Sequence, residues 1–197
     1  SSGKMGYALA ESARNLGADV ELISGPVSIK MPENIKITSV ETSAEMLDAV
    51  LGKIPYCDVF ISAAAISDYR PSHKLTEKHK SSDGELVIRL ERGEDILKLA
   101  KETKAGLYAV GFSAETNNIS DNAKIKLEKK NIDMIISNEA NHQKGLGFES
   151  DMNEVCIIEK DSMLKIPKNT KKIIADIILS RIAKNIKGNL IKIKNAR

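Results

Sequence analysis

The sequence predicts a Rossmann-like, doubly wound α/β fold: a mostly parallel sheet with helices on both faces, followed by a C-terminal β-hairpin and helix. Three observations carry this expectation. Helical and strand-like segments alternate from the start of the chain. Two nearly continuous apolar runs, residues 56–65 and 107–112, have the composition of parallel strands buried on both faces. Each run ends in small and polar residues, where open α/β sheets bind their ligands. The chain opens directly on a helix, so the first strand of such a sheet is missing from the pattern.

The elements follow in order. Met5, Leu9, Ala13 and Leu16 lie on one face of a helix over residues 5–16, which Gly17 ends. Residues 20–24 form a short strand closed by Gly25-Pro26, and residues 35–40 alternate as a second strand. Thr42-Ser43-Ala44-Glu45 is a capping box that opens a helix to about residue 51. The run 56–65 is the central strand. Residues 86–90 read as a strand, 95–102 as a helix, and 107–112 as a second buried strand. A charged helix spans 119–130 with Ala123, Ile125 and Leu127 as core candidates, and a short strand covers 134–138. After a long loop, 154–159 and 163–166 pair as a hairpin. Ile173, Ile174, Ile177, Ile178 and Ile182 mark the apolar face of a helix over 170–186. Residues 1–187 make one domain, and the basic tail 188–197 is frayed and disordered.

Composition narrows the function classes. The net charge is +3 with acidic and basic residues mixed, and aromatic residues are 4% with no Trp. Neither a nucleic-acid footprint nor a base-stacking platform fits that pattern. No apolar run has membrane-spanning length and no signal peptide is visible. Cys57 and Cys156 have no metal-ligand spacing and read as buried free thiols of a reducing compartment. A cytoplasmic protein acting on small molecules is the expectation, without nucleic-acid or membrane partners.

Candidate site residues cluster at strand and helix ends. Ser1-Ser2-Gly3-Lys4-Met5-Gly6 begins a helix whose first N–H groups lack internal partners, which suits an anion. The same residues also fit a plain polar arm with Ser2 as N-cap. The stretch is neither a Walker A loop nor a dinucleotide fingerprint, because Met5 follows Gly-Lys and only two glycines are present. Ala64 and Ala65 leave room for a ligand at the backbone, and Ser67-Asp68-Tyr69-Arg70-Pro71 follows; as a bland alternative Asp68 is a turn residue. Residues 72–83 form a basic loop or a solvated charged face. Phe112, ending its strand before Ser113-Ala114-Glu115-Thr116, is either core or a stacking face for a nucleobase.

Eight segments together resemble the phosphopantothenate–cysteine ligase (phosphopantothenoylcysteine synthetase) family in its bacterial, CTP-using form. They are SSGKMG at 1–6, LISGPV at 22–27, T-x-x-EM at 42–46, AAAISDYRP at 63–71, EKHK at 77–80, GFSAET at 111–116, KNIDMIISN at 130–138 and GF-x-SD-x-N at 147–153. Each is weak alone; their order and spacing are specific. The resemblance covers residues 1 to about 186. It implies a ligase that joins 4′-phosphopantothenate to L-cysteine through an acyl-cytidylate, using CTP and Mg²⁺ and releasing pyrophosphate and CMP, in coenzyme A biosynthesis. It implies Lys78 as the catalytic flap lysine. Ser2, Gly3, Lys4, Ala64, Ala65, Asp68, Lys78, Phe112, Lys130 and Asn138 are the implied nucleotide-binding residues, with Asp68 holding the metal or a ribose hydroxyl. A homodimer, a fused or associated flavin-dependent decarboxylase, and a strand with an asparagine-bearing arm upstream of Ser1 are implied as well. The chain departs from the family at Ser81, where a flap lysine is usual, and at Gly93-Glu94, where Asn-Pro is usual.

Nucleotide transfer to a carboxylate needs neutralised phosphates and in-line placement more than covalent chemistry by the protein. The absence of a nucleophile–base triad agrees with that. A nicotinamide-dependent reductase, which needs a full glycine fingerprint, and a non-catalytic fragment that keeps only nucleotide binding are the alternatives.

Overall fold

The computed structural model describes residues 2–73, 86–115, 119–139 and 150–195, with 114, 115, 119–122, 139 and 188–195 described by backbone alone. Its core is a five-stranded sheet. In chain order the strands are β1 (Glu21–Ser24), β2 (Lys36–Ser39), β3 (Val59–Ser62), β4 (Tyr69–Pro71), β5 (Leu90–Arg92), β6 (Tyr108–Glu115), β7 (Met134–Glu139), β8 (Met152–Ile158) and β9 (Met163–Thr170). The helices are α1 (Lys4–Asn15), α2 (Ser43–Lys53), α3 (Ile96–Thr103), α4 (Ile119–Lys130) and α5 (Lys171–Asn195). The sheet runs β3-β6-β7-β8-β9, with β3, β6 and β7 parallel and the β8–β9 hairpin antiparallel. β1 and β2 form a separate parallel pair, and β4 and β5 an antiparallel ribbon.

Side-chain alternation in β6 and β7 explains the layers. Tyr108, Val110, Met134 and Ile136 meet Leu9 of α1 and Ile174, Ile178 and Ile182 of α5 on one face. Ala109 and Ile135 meet Leu97 of α3 and Ala123 and Leu127 of α4 on the other. Gly111 lets α3 lie down on β6: a Cβ there would sit 2.7 Å from Leu97 Cδ2.

Local signals account for the helix ends. Gly17 takes φ +86° after α1. Thr42 Oγ1 accepts the N–H of Glu45 at 3.2 Å, and Asp95 caps α3 by accepting from Lys98 N–H at 3.2 Å. Glu45 returns its carboxylate to the N–H of Glu41, one residue before the cap.

Several expectations need correction. The run 56–65 is a strand over Val59–Ser62 alone, and among the described residues it lies at the edge of the sheet. Tyr56 ends a 3-10 turn and is 87% exposed, and only Val59–Ser62 pairs. Among the described residues nothing pairs with the outer edge of β3, so all four of its residues stay half-buried. The predicted strand 86–90 enters the ribbon only from Leu90; Leu86, Val87 and Ile88 are exposed. Ile125 is 61% exposed, because the helix turns Ala123 and Leu127 inward. Ile173 is exposed while Ile174, Ile178 and Ile182 are buried. Both cysteines are half-buried rather than buried. α5 runs on to Asn195, past residue 187; no proline interrupts it. Among the described residues no helix is long and apolar enough to cross a membrane.

Candidate active site

The first turn of α1 lies among the ends of other elements. Gly3 is its N-cap, with φ +76° and no side-chain cap bond. This differs from the polar-arm reading, in which Ser2 caps the helix. A Cβ on Gly3 would meet Val27 Cγ1 at 2.7 Å, just after β1. A Cβ on Gly6 would come within 3.9 Å of Ala63, just after β3. The α1 N-terminus therefore sits against the carboxyl ends of β1 and β3, which belong to different sheets, with the exposed Ala64 and Ala65 adjoining. Tyr7 and Ser24 hydroxyls, 3.2 Å apart, fix α1 to β1 on the buried side.

Lys4 reaches Asp151 at 2.7 Å, and that ammonium holds the Asp151 carboxyl below the usual carboxylate range. Asp151 belongs to the stretch before β8, so the far side of the sheet also contributes here. Asn138, near the end of β7, accepts a hydrogen bond from the buried Asn153 at 3.2 Å. Ser113 and Ser137 are register neighbours across β6 and β7, and both hydroxyls are buried without a hydrogen-bond partner among the described residues. They adjoin Phe112 and Asn138 in sequence. Phe112 is half-buried and packs on the core beneath α1 and α5.

A second group gathers at the base of the β4–β5 ribbon. The Asp68 carbonyl accepts the N–H of Gly93 at 2.8 Å, and Asp68 itself is exposed. Two residues beyond Gly93, Asp95 pairs with Lys130 at 2.9 Å. Burial of Asp95 opposes its ionisation, but Lys130 and the N–H of Lys98 outweigh that and hold its pKa below the ordinary value. The structure thus links Lys130 to the Asp68 segment through the cap of α3, which the sequence alone did not suggest. Among the described residues no three His, Cys, Asp or Glu side chains gather as a metal cluster. A lone exposed carboxylate still suits Mg²⁺ carried by a nucleotide, since Mg²⁺ keeps water and takes one or two carboxylates plus phosphates. Ser1, Lys78 and residues 74–83 of the basic stretch lie outside the described residues.

Asp95, Asp151, Asn153 and Lys171 were missed as neighbours of the site. Asp151 and Asn153 stand in the GF-x-SD-x-N segment, which was a signal for them. Asp95 stands in Gly93-Glu94-Asp95-Ile96, beside the departure from the family pattern, and opens the expected helix 95–102, whereas Lys171, whose N–H donates to the Asp151 carbonyl at 2.9 Å, carried no signal.

Comparison with known proteins decides the family. The model of the DNA/pantothenate metabolism flavoprotein C-terminal domain matches residues 1–186. The chain belongs to that family. As a member of the DNA/pantothenate metabolism flavoprotein C-terminal domain family it has full-length relatives. It is 40% identical over 185 residues to the coenzyme A biosynthesis bifunctional protein CoaBC of Vibrio vulnificus (strain CMCP6), covering 92% of this chain and 46% of that protein. It is 42% identical over 185 residues to CoaBC of Bacillus subtilis (strain 168), covering 93% and 45%. The chain thus spans about half the length of these relatives. The crystal structure of the C-terminal domain of a CoaBC superposes with a TM-score of 0.80 at 39% identity, covering 95% of this chain and 85% of that one. The mixed α/β sheet expected from sequence is therefore this family's fold.

Proposed function

We propose that the chain forms a phosphopantothenate–cysteine ligase site. In the first step a carboxylate oxygen of 4′-phosphopantothenate attacks the α-phosphorus of CTP, and the bond to the β-phosphate breaks to release pyrophosphate. In the second, the cysteine amine attacks the acyl carbon, CMP leaves with the bonding electrons, and the amine proton passes to solvent. The observation that supports this reading best is the seating of the α1 N-terminus against the carboxyl ends of β1 and β3. Such an end offers N–H groups and a positive dipole to phosphate oxygens.

The residues then take distinct roles. Gly3 and Lys4 receive phosphates. Asp68 holds the nucleotide's Mg²⁺ or a ribose hydroxyl. Mg²⁺ supplies charge neutralisation on the triphosphate when bound. Lys130, fixed by Asp95, adds positive charge on the α3 side. Lys78 serves the second step. The relatives' name places them in coenzyme A biosynthesis, which supports the same assignment.

Lys78→Gln tests the split between the steps. Acyl-cytidylate formation should survive substantially while amide formation falls, as read by trapping the intermediate for mass spectrometry. Equal loss of both steps would remove Lys78 from its role.

A further inference from the structure

Two asparagine side chains, at the carboxyl end of β7 and the start of β8, set each other's orientation. The β8–β9 register shifts between Asn153 and Val155, so that Glu154 stands opposite both Pro167 and Lys168. Such irregularities re-aim side chains and recur beside active sites. Here the Glu154 N–H donates to Asn153 Oδ1 at 3.0 Å, and Asn153 Nδ2 donates to Asn138 Oδ1 at 3.2 Å.

Chemistry fixes the direction of this relay. A backbone N–H can only donate, so the Asn153 atom that meets it is the carbonyl oxygen. The other end of that amide is then NH2, which also only donates, so Asn138 turns its own oxygen toward it. Asn138 is left presenting the two N–H donors of Nδ2, and among the described residues no acceptor meets them. Asn153 is 6% exposed, whereas Asn138 is half-buried.

The pair stands on the α1 side of the sheet. Ile136, two residues before Asn138, and Val155, its register partner in β8, both pack with Leu9 of α1. Two residues before Asn153, Asp151 holds Lys4 of the first turn of α1. Holding β7 to β8 does not require the two amides, because Ile135 through Asn138 already pair with Ile158 through Val155. Placing a polar side chain at the buried position 153 is unfavourable unless its hydrogen bonds are met, and meeting them commits the orientation of Asn138.

We propose that Asn153 is a positioning residue that locks the Asn138 amide as a donor to a phosphate oxygen of a substrate. This rests on the reading that the α1 end of the sheet receives phosphates. A phosphate oxygen only accepts, so the locked orientation suits it, whereas a reversed amide would set oxygen against oxygen.

The test is calorimetric titration of the full chain with Mg-CTP, 4′-phosphopantothenate and cytidine, each variant being checked for folding by thermal denaturation. A buffer at about pH 8 keeps an introduced carboxylate ionised. Asn138→Ala should weaken one of the two phosphate ligands about tenfold, the usual effect of losing a hydrogen bond to a charged group, and leave cytidine unchanged. Which ligand shows the loss identifies the phosphate. Asn153→Ala lets the Asn138 amide take both orientations, so the same affinity should fall only about twofold. Asn153→Asp keeps the shape and the bond from Glu154, but a carboxylate only accepts. The Asn138 amide then turns round, and affinity should fall at least about tenfold. A merely structural role predicts the opposite order, with alanine the more damaging. In an Asn138→Ala background Asn153→Asp should add little, which separates reorientation from direct charge repulsion. The side-chain amide NMR signal of Asn138, assigned by its loss in Asn138→Ala, should shift when the same ligand is added to the wild type; this signal decides alone if Asn153→Asp does not fold. Wild-type affinity in a folded Asn153→Asp overturns the inference while leaving the ligase reading in place. So does a loss that persists in full in the Asn138→Ala background, a loss shared by cytidine, or an amide signal that neither phosphate ligand moves. A wild type that binds neither CTP nor 4′-phosphopantothenate removes the ligase reading, and this inference with it.

Discussion

Replacing Arg181 by Met lowers the unfolding free energy by roughly 2–3 kcal/mol at pH 7, the cost of leaving a mostly buried carboxylate without its partner. Arg181 grips Glu159 through Nε at 3.1 and 3.2 Å and through Nη2 at 2.6 Å. Ser162 and Asn185 donate to the same carboxylate, and Asn185 also donates to the buried Tyr108 hydroxyl at 2.8 Å. This network ties α5 to the β8–β9 hairpin and to the start of β6. Burial by itself would raise the Glu159 pKa, but Arg181, Ser162 and Asn185 outweigh it and lower the value to about 2 from 4.5. The sign follows from linkage. A carboxyl depressed in the folded state contributes stability that is complete above pH 4.5 and is lost as pH falls towards about 2. Denaturant unfolding of the wild type should therefore weaken across that window, and Arg181→Met should weaken much less, having already lost the contribution at neutral pH. Parallel pH profiles for the two proteins would contradict the account. Burial pushes the Tyr108 hydroxyl up to about 12, so it stays a neutral member of the network throughout.

Gly3→Ala should cost more in binding than in folding. Gly3 has φ +76°, a region that costs an L-residue about 1–2 kcal/mol, and its new Cβ would press on Val27 Cγ1 at 2.7 Å. Val27 is β-branched and yields little by rotation. The cap must move, and with it the N–H groups that open α1. Because Gly3 lies before the helix, unfolding free energy should fall by no more than about 1–2 kcal/mol. Affinity for CTP should fall at least about tenfold, since donors displaced from a phosphate lose their charge-assisted bonds. Calorimetry with Mg-CTP reads the second effect and denaturant unfolding the first. Unchanged CTP affinity in the folded variant would detach α1 from the nucleotide.

What could be read from the sequence was local. Gly17 and the Thr42 capping box marked helix ends, and the apolar residues of 107–112 and 134–138 marked two strands of the sheet, because each signal lies within a few residues of the element it marks. What failed depended on distant partners. Residues 56–65 are apolar enough for a central strand, yet nothing among the described residues occupies one edge of β3. Residues 86–90 look like a strand, but the pairing with β4 starts only at Leu90. For the site, the family segments supplied Gly3, Lys4 and Asp68 as candidates. The links from Lys130 to Asp95 and from Lys4 to Asp151 join positions more than 30 and 140 residues apart, as their numbering shows. No periodicity or spacing rule reaches that far.

The proposed ligase activates the carboxylate of 4′-phosphopantothenate as an acyl-cytidylate. Its most direct test is mass spectrometry of a polypeptide of the relatives' full length carrying this chain, mixed with CTP, Mg²⁺ and 4′-phosphopantothenate without cysteine. The account predicts phosphopantothenoyl-cytidylate on the protein together with pyrophosphate, and conversion to the amide and CMP when cysteine is added. Bound CTP that remains intact under these conditions, with neither pyrophosphate nor acyl-cytidylate formed, would contradict it.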